Sequence, residues 1–448
     1  MIISYIEGAP SLVHPLSLFD GKTHKQNFNM KKLFLFAAMA LTAFGANAQE
    51  SKPTVKLYGF VRNYMDFDTR ENLSSNSDQF NMIPKDELLN AYGDDLNQRN
   101  DIHLLSITTR LGLNITGPEF LGGKTSAKIE SDFAGFGTSN TVLRIRQAYA
   151  KIDWEKHSLL AGQAWHPMMG DMMPDVFSLA TGAPFTPFSR TPQLRYDYKA
   201  GKFTLTATAL YQLQYLSYGP NANNLESSTT SFDFARKAVI PELYFQARYN
   251  NGGFMMGAGV DILTLKPRTE YTDAQGVKVL SNQLVTSLSP TLFASYKSGN
   301  WGIKGRVTYA QNASHLNMLS GFGVTKLKDN GEAEYGSLAS IAGWIDVTYK
   351  QKLEKGTLTW CLFGGYGKNL GCKDDFVSSS MMYVRGFKNL DSFWRVSPSV
   401  TYTHNAMQIG IEYEPTTAGY GKMNADGSVD KTHSVTNHRI CTILKYNF

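Results

Sequence analysis

The chain has 448 residues, of which 18% are charged and 12% are aromatic, and its formal net charge is +6. The mean hydropathy of −0.27 excludes a helical membrane protein, and the composition excludes an acidic disordered chain or a coiled coil. Three cysteines exclude a disulfide scaffold, and the mild positive charge gives no reason to expect a nucleic-acid partner. The 23 Tyr, 26 Phe and 39 Gly favour a large all-β protein.

The first predicted element is a secretory leader. A basic start at Met30 precedes an apolar stretch over 33–45, and an Ala-x-Ala cleavage signal follows it. This stretch is too short to cross a bilayer as a helix, which takes about 20 residues. We therefore expect an upstream extension over 1–29, a signal peptide over 30–48 and a mature domain over 49–448. A short buried helix is the alternative for the apolar stretch.

Alternating polarity dominates the rest of the chain. In the segment 203–215, one parity is entirely apolar or aromatic, while the other is mostly Thr and Gln. Because successive side chains of a β-strand point to opposite faces, such a segment has one oily face and one wet face. Sixteen segments show this pattern: 55–67, 103–115, 124–133, 141–153, 157–166, 192–199, 202–215, 239–249, 253–265, 284–297, 300–310, 338–350, 356–367, 392–403, 406–414 and 437–448.

The connections between these segments are mostly short and long in turn. Short ones, such as 250–252 and 351–355, contain the Gly, Asn and Lys of tight hairpins, whereas seven are far longer than the usual loop of about 4–6 residues. Short turns at one end and long loops at the other are typical of an outer-membrane barrel, where lipid forces the sheet to close. We therefore predict an all-β transmembrane antiparallel β-barrel of about 16 strands, with short periplasmic turns and long extracellular loops.

The last predicted strand ends in an alternating apolar face that closes on Phe448. Barrel proteins resemble one another in this ending, which the outer-membrane assembly machinery recognises, so we expect Phe448 to serve that role. A final core residue is the alternative. Trp301 and Tyr309 lie eight residues apart on one oily face, about 26 Å along a strand, and are expected to mark two aromatic girdles.

The third long connection, 167–191, is unusually apolar for a surface loop, with four Met between positions 168 and 173. Such a segment, carrying Asp171 and Asp175, fits a loop that folds into the barrel and narrows it. A loop at a subunit contact is the alternative.

Strand parity places a set of basic side chains on the wet face of the wall, where they avoid the cost of about 2–4 kcal/mol for an Arg in mid-bilayer. Basic side chains clustered on one side of a channel attract anions, and Arg binds carboxylate or phosphate through bidentate hydrogen bonds. The alternative is that these side chains only neutralise wall carboxylates such as Glu130 and Asp132, and a one-residue bulge would reverse any local assignment. The predicted pore-lining and constriction residues are Arg62, Arg110, Arg144, Arg146, Arg195, Asp171 and Asp175.

Several of these stretches resemble a known family. The stretches 56–62, 109–117, 143–150 and 160–165 resemble the first strands of trimeric porins, above all the DcaP-like outer-membrane transporters in a Bacteroides-type version. The resemblance implies a homotrimer of sixteen-stranded barrels that passes small anionic solutes, with dicarboxylates as the suggested substrates. One departure is that no coiled-coil segment stands between Gln49 and the first strand, so trimerisation by that device is not expected.

Two other classes of function fit less well. A barrel-borne hydrolase needs a nucleophile and a base, and the chain has neither Gly-x-Ser-x-Gly nor His-Glu-x-x-His. A surface adhesin would act through its loops, of which 424–430 is a weak calcium-loop candidate and more simply an Asp-Gly turn. We predict passive diffusion of small hydrophilic solutes, biased to anions, without catalytic residues, cofactor or metal, in a membrane of lipid and lipopolysaccharide.

Overall fold

The computed structural model describes residues 52–75, 80–135, 142–221 and 224–448. The predicted upstream extension and signal peptide lie outside these residues and stay predictions. The described part is all-β, and its main sheet is a closed barrel of sixteen antiparallel strands, which confirms the predicted fold class. Within the described ranges, no helix combines the length and the apolar character that a bilayer crossing requires.

The sixteen wall strands are numbered here in chain order, and the second has two segments that both pair with the first. They are β1 Thr54–Asp68, β2 Asp101–Leu105 with Arg110–Phe120, β3 Gly123–Asp132, β4 Arg144–Asp153, β5 His157–Trp165, β6 Arg190–Ala200, β7 Phe203–Leu210, β8 Glu242–Asn251, β9 Phe254–Leu265, β10 Val285–Ser298, β11 Trp301–Gln311, β12 Ala333–Lys352, β13 Thr357–Gly371, β14 Leu390–His404, β15 Met407–Met423 and β16 Val429–Asn447.

The barrel closes between its first and last strands. β1 pairs with β16 from Phe60 opposite Asn447 to Asp68 opposite Arg439. Below this ladder, the amide of Gly59 donates to the carbonyl of Phe448 at 3.0 Å, and the amide of Phe448 donates back at 3.1 Å. The closed ladder leaves the wall without an edge strand, as lipid requires.

The two faces of the wall divide as the alternation predicts. Apolar side chains such as Leu57 and Leu444 are exposed on the outside, and the intervening polar positions point inward. Trp301 is also exposed on the outside, and its ring lies 4.7 Å from that of Tyr349 on the neighbouring strand. The apolar face of the sheet therefore forms the outer surface of the barrel, and the polar face lines its interior.

Strand ends differ from the prediction mainly at the end of the barrel that carries the long loops. β12, β15 and β16 run well past the alternating segments, and the β15–β16 ladder continues to Met423 opposite Val429. Alternation is demanded only where one face meets hydrocarbon, so these extensions leave no such pattern in the sequence. The predicted strand over 202–215 instead ends at Leu210, after which the chain leaves the wall.

The long loops contribute further short elements. The first loop forms a hairpin whose residues Phe80, Met82 and Ile83 are buried, in one apolar cluster with the third loop. The remaining loop strands are Asn72–Ser75, Phe80–Pro84, Tyr218–Asn221, Asn224–Thr230, Glu270–Thr272, Lys278–Leu280, Gly321–Leu327 and Met382–Val384, and the helical turns are Pro167–Gly170, Asp233–Arg236, Ser314–Leu316 and Ser379–Met381.

Candidate functional site

The third long connection, between β5 and β6, folds into the barrel as predicted. Its short helix Pro167–Gly170 is capped by His166, whose Nδ1 accepts a hydrogen bond from the Met168 amide at 3.2 Å. Burial lowers the pKa of His166, so this imidazole is neutral at pH 7. Met168, Met169 and Phe185 are fully buried in the interior cluster. The methionines thus pack this loop into the apolar interior cluster, which explains their unusual number.

The two predicted carboxylates of this loop, which we call loop three, fasten it to the wall at strands β8, β11 and β12. Asp171 forms an ion pair with Arg248 of β8 at 2.8 Å. Asp175 forms an ion pair with Lys304 of β11 at 2.8 Å, and its amide donates to the carboxylate of Asp346 on β12. Both acids are therefore paired with wall cations, Asp171 in a largely buried position and Asp175 in an exposed one.

Phe177 makes the next contact between loop three and the wall. Its amide donates to Oε2 of Glu412 on β15 at 2.8 Å, and its carbonyl accepts from the guanidinium of Arg62 on β1 at 2.6 Å. The Phe177 ring lies against Gly410, where an added Cβ would come within 2.5 Å of it. The backbone of loop three is thereby held against β1 and β15, and glycine at position 410 is required for that approach.

A cavity of about 440 Å³ lies between loop three and the end of the barrel that carries the short turns. Its charged lining consists of Arg62, Lys350, Lys445 and Asp175, and the rest is largely Thr, Ser and Gln. Among the described residues, neither Arg62, Lys350 nor Lys445 forms an ion pair, whereas Asp175 is paired with Lys304. The cavity therefore carries an uncompensated positive charge.

A second cavity of about 550 Å³ adjoins the first, since both are lined by Asp175, Thr348 and Lys350. Lys297 and Lys304 add two further cations to its lining, and Asp171 adds one carboxylate, which is paired with Arg248. The basic character thus extends along the wall from β16 and β1 to β10 and β11.

Arg144 and Arg146 face the interior but are paired with acidic side chains. Arg144 Nε lies 2.7 Å from Asp132, and Arg146 lies 2.9 Å from Glu130 and 2.6 Å from Asp132. β4 has a bulge here, because Ile145 pairs with Ser131 and the next paired residue is Gln147. The bulge leaves Arg146 as the extra residue and turns both Arg146 and Gln147 inward, where they are buried.

The two remaining predicted arginines, Arg195 and Arg110, differ in how close they lie to a carboxylate. Arg195 lies 3.0 Å from Asp197 on its own strand. Arg110 is 3.7 Å from Glu130, and its guanidinium stands 4.9 Å from the ring centre of Phe60. Lys445 Nζ lies 4.2 Å from the same ring, so the Phe60 side chain links Arg110 to the basic cavity.

The structure thus brings the predicted site residues together in three groups. Arg62 and Asp175 line the basic cavity, Arg110, Arg144 and Arg146 surround two wall carboxylates, and Arg195 stands apart with Asp197. The prediction missed Lys304 and Lys350 as site residues. Both lie on the wet parity of their strands, and that signal in the sequence was sufficient to find them.

Comparisons with known proteins agree with this architecture. The sequence model described as Gram-negative porin matches residues 36–437. No curated protein matches the chain. The outer membrane channel DcaP of Acinetobacter baumannii superposes with a TM-score of 0.63 at 19% identity, over 90% of this chain and 100% of that chain. The anion-selective porin from Comamonas acidovorans gives 0.50 at 10% identity, over 89% and 100% of the two chains.

A third similar structure is the loop L8 deletion mutant of OmpT, an outer membrane protein of Vibrio cholerae, with a TM-score of 0.51 at 12% identity, over 89% of this chain and 100% of that chain. At these identities the similarity to DcaP and to the other structures concerns the fold, which confirms the expected resemblance at that level. The family assignment follows from the sequence match, which spans most of the chain. The chain belongs to the Gram-negative porin family and is a porin-like channel of the outer membrane.

Proposed function

We propose that this porin passes small hydrophilic solutes by passive diffusion, that it favours anions, and that the basic cavity below loop three sets this preference. Carboxylated metabolites such as dicarboxylates are the expected substrate class. Arg62 is the predicted wall residue closest to this role, joined by Lys350 and Lys445. Arg110 follows, because its carboxylate partner Glu130 lies farther away, at 3.7 Å, and because the Phe60 ring links it to Lys445. Arg144, Arg146 and Arg195 contribute less, because each has a carboxylate partner.

The observation that carries the proposal is the imbalance of charge in the cavity. Three of its cations have no carboxylate partner among the described residues, and its single carboxylate, Asp175, is neutralised by Lys304. A unit charge about 8 Å from a permeating ion changes that ion's energy by about 0.5 kcal/mol even in water. Several such charges in a narrow, low-dielectric enclosure concentrate anions and repel cations. The anion selectivity of the Comamonas acidovorans porin shows that this type of fold accommodates such a preference.

The test is the reversal potential of the purified protein in planar bilayers under a salt gradient. We expect a potential of the sign that anion preference gives. Lys350→Gln with Lys445→Gln removes about 1 kcal/mol of attraction for an anion, so the anion permeability should fall about fivefold and the anion-to-cation permeability ratio by at least that factor. The matched control is Lys326→Gln, an exposed lysine on the loop strand Gly321–Leu327, which should leave the ratio unchanged. A cation preference in the unmodified protein would refute the anion proposal and leave the channel itself intact.

We propose further that the porin is a homotrimer and that the contact between subunits includes the side of the barrel where the wall strands are shortest. β5 has 9 residues, whereas β12 has 20. Nine residues at about 3.3 Å each, tilted by about 45°, rise only roughly 21 Å, which is less than the apolar band of about 25 Å. The exposed side chains of Ile102 and Leu104 on β2 add apolar surface there. Light scattering in detergent tests the assembly, and a mass of one chain would refute it.

Phe448 is proposed as the signal for the assembly machinery. Its backbone completes the β1–β16 seam, while its side chain stays exposed on the outside of the barrel. Phe448→Ala should therefore reduce the amount of assembled barrel in cells more than it reduces the stability of the purified barrel. Equal effects on both would refute a recognition role.

A further inference from the structure

Two histidines and two carboxylates meet at the root of loop three, away from the basic cavity. His166 directly follows β5, and His315 lies in the helical turn Ser314–Leu316 after β11. Glu242 is the first residue of β8, and Asp261 lies near the upper end of β9. All four residues are buried, with at most 4% of their surface exposed. Four separate segments of the chain therefore deliver ionisable groups to one dry position.

The spacing of these groups suits a small metal ion. Oε1 of Glu242 lies 2.9 Å from Nε2 of His166 and 3.0 Å from Nε2 of His315. Oδ1 of Asp261 lies 3.7 Å from Nε2 of His166. In a tetrahedral zinc centre with bonds of about 2.0–2.1 Å, neighbouring ligand atoms are roughly 3.3 Å apart. The observed separations bracket that edge, so an ion fits with small adjustments of the side chains.

The charge of the cluster also calls for a cation. Oε2 of Glu242 and Oδ1 of Asp261 are buried and have no hydrogen-bond partner within the described part of the chain. Arg306 is the nearby guanidinium, but it donates to the hydroxyl of Thr291 and forms no ion pair with either carboxylate. Buried carboxylates without a compensating charge are costly. A divalent ion bound by two neutral imidazoles and two carboxylates would be fully neutralised.

A second cluster of similar composition shows the contrast. Asp66, Asp68 and His103 also lie close together near the upper end of β1. There, however, Arg439 occupies the position of a cation, with its Nε 2.9 Å from Asp68. That cluster therefore contains a cationic side chain of the protein where a metal ion would stand, whereas no guanidinium or ammonium of the described residues forms an ion pair with Glu242 or Asp261.

We propose that His166, His315, Glu242 and Asp261 bind one divalent transition-metal ion of the zinc class. The ion ties the root of loop three to β8, β9 and the loop after β11, and so fixes the loop that crosses the channel. The residues fill different roles. Glu242 is the central ligand because both imidazoles point at it. His166 is the weakest ligand, because binding through Nε2 requires a proton on Nδ1 and gives up its 3.2 Å bond from Met168.

Cobalt provides the direct test, because tetrahedral Co²⁺ absorbs strongly in the visible range and replaces zinc in such sites. The full-length porin, stripped with a chelator in detergent, should develop this absorption with one ion per chain and lose it when Zn²⁺ is added. His315→Ala should weaken the binding about tenfold or more, and Glu242→Gln should abolish it. His103→Ala, in the second cluster, is the matched control and should leave cobalt binding unchanged.

Two further measurements make the test decisive. The temperature-dependent gel mobility of folded barrels shows which variants assemble, and if Glu242→Gln does not, His315→Ala and the unmodified protein decide the question. Anomalous diffraction at the zinc edge locates the ion in the unmodified protein. A peak among the four side chains supports the proposal. No cobalt spectrum in the stripped protein, an anomalous peak elsewhere, or a spectrum unchanged in His315→Ala overturns it.

Discussion

Two groups of cations line the interior of this porin and differ in what surrounds them. On β4 and β6, Arg144, Arg146 and Arg195 each lie within 3.0 Å of a carboxylate. Below loop three, Arg62 and the two lysines of the cavity have no carboxylate partner among the described residues. The number of basic side chains along a wall therefore does not decide the potential inside it. To judge that potential, one must also know which of the basic side chains are neutralised by neighbouring carboxylates.

The largest effect is expected where a compensating acid is removed from the paired group. Asp132 is fully buried and holds both Arg144 and Arg146. Asp132→Asn leaves two guanidinium groups without this partner, and breaking a buried pair typically costs about 3–5 kcal/mol. We expect the free energy of unfolding to fall by that amount, as measured by urea denaturation of the purified barrel.

Asp101→Asn serves as its control, because the Asp101 side chain at the upper end of β2 is partly exposed, lies 3.5 Å from His103 and accepts a hydrogen bond from the Ile102 amide. It should change stability by no more than about 1 kcal/mol. If the two variants were equally stable, the paired group would not be a structural element, and the comparison between the two groups would fail.

A smaller effect is expected for Arg62, which both carries charge and holds loop three. Arg62→Gln removes one uncompensated charge, so the anion preference should fall about twofold. It also removes the bond to the Phe177 carbonyl, and hydrogen bonds to charged groups contribute about 1.5–3 kcal/mol, so loop three should move more and the single-channel current should become noisier.

Arg62→Lys separates these two roles. It keeps the charge but not the planar guanidinium, so the selectivity should stay near that of the unmodified protein while the current noise rises. A loss of selectivity in both variants without added noise would show that Arg62 does not restrain loop three.

A substitution at Asp175 should increase the anion preference, whereas the substitutions at Arg62 should decrease or preserve it. Asp175→Asn removes the nearer carboxylate of Lys304 and leaves this cation only the carboxylate of Asp346, 3.8 Å away. The anion-to-cation permeability ratio should therefore rise about twofold in bilayers, an effect of about 0.5 kcal/mol. A fall in the ratio would mean that Asp175 does not contribute a negative potential to the permeation path.

The smallest effect is expected when both members of a pair are removed together. Arg195→Gln with Asp197→Asn leaves the net charge of the wall unchanged and deletes a mutual contact of 3.0 Å. Its reversal potential should match that of the unmodified protein. A clear shift would show that a compensated arginine still acts on permeating ions, and would remove the distinction drawn here.

Alternating polarity was enough to predict the wall, since lipid on one side and water on the other impose it on every strand. All sixteen predicted segments coincide with wall strands. The pattern could not give the upper ends of β12, β15 and β16, because hydrocarbon does not cover them. It also could not give the bulge at Arg146, which depends on how β3 and β4 pair.

The candidate site could be predicted from the sequence only in part, for a related reason. Parity shows that Arg62 faces inward, but its bond to Phe177 joins two segments far apart in the chain, and no local pattern records it. The same holds for the partners of Asp171 and Asp175, which come from β8 and β11. Sequence therefore predicts which side chains enter the channel, and only the closed structure shows which of them are already paired.

The seam between Gly59 and Phe448 has a kinetic consequence. These two residues come from opposite ends of the wall, so their ladder demands the greatest loop closure of any strand pairing in the barrel. Until it forms, β1 and β16 both present unpaired amides and carbonyls, which hydrocarbon cannot solvate. Ring formation is thus the step at which the growing sheet is most exposed to pairing with other chains, and a catalyst that shields the two free edges would accelerate insertion more than one that promotes any single hairpin.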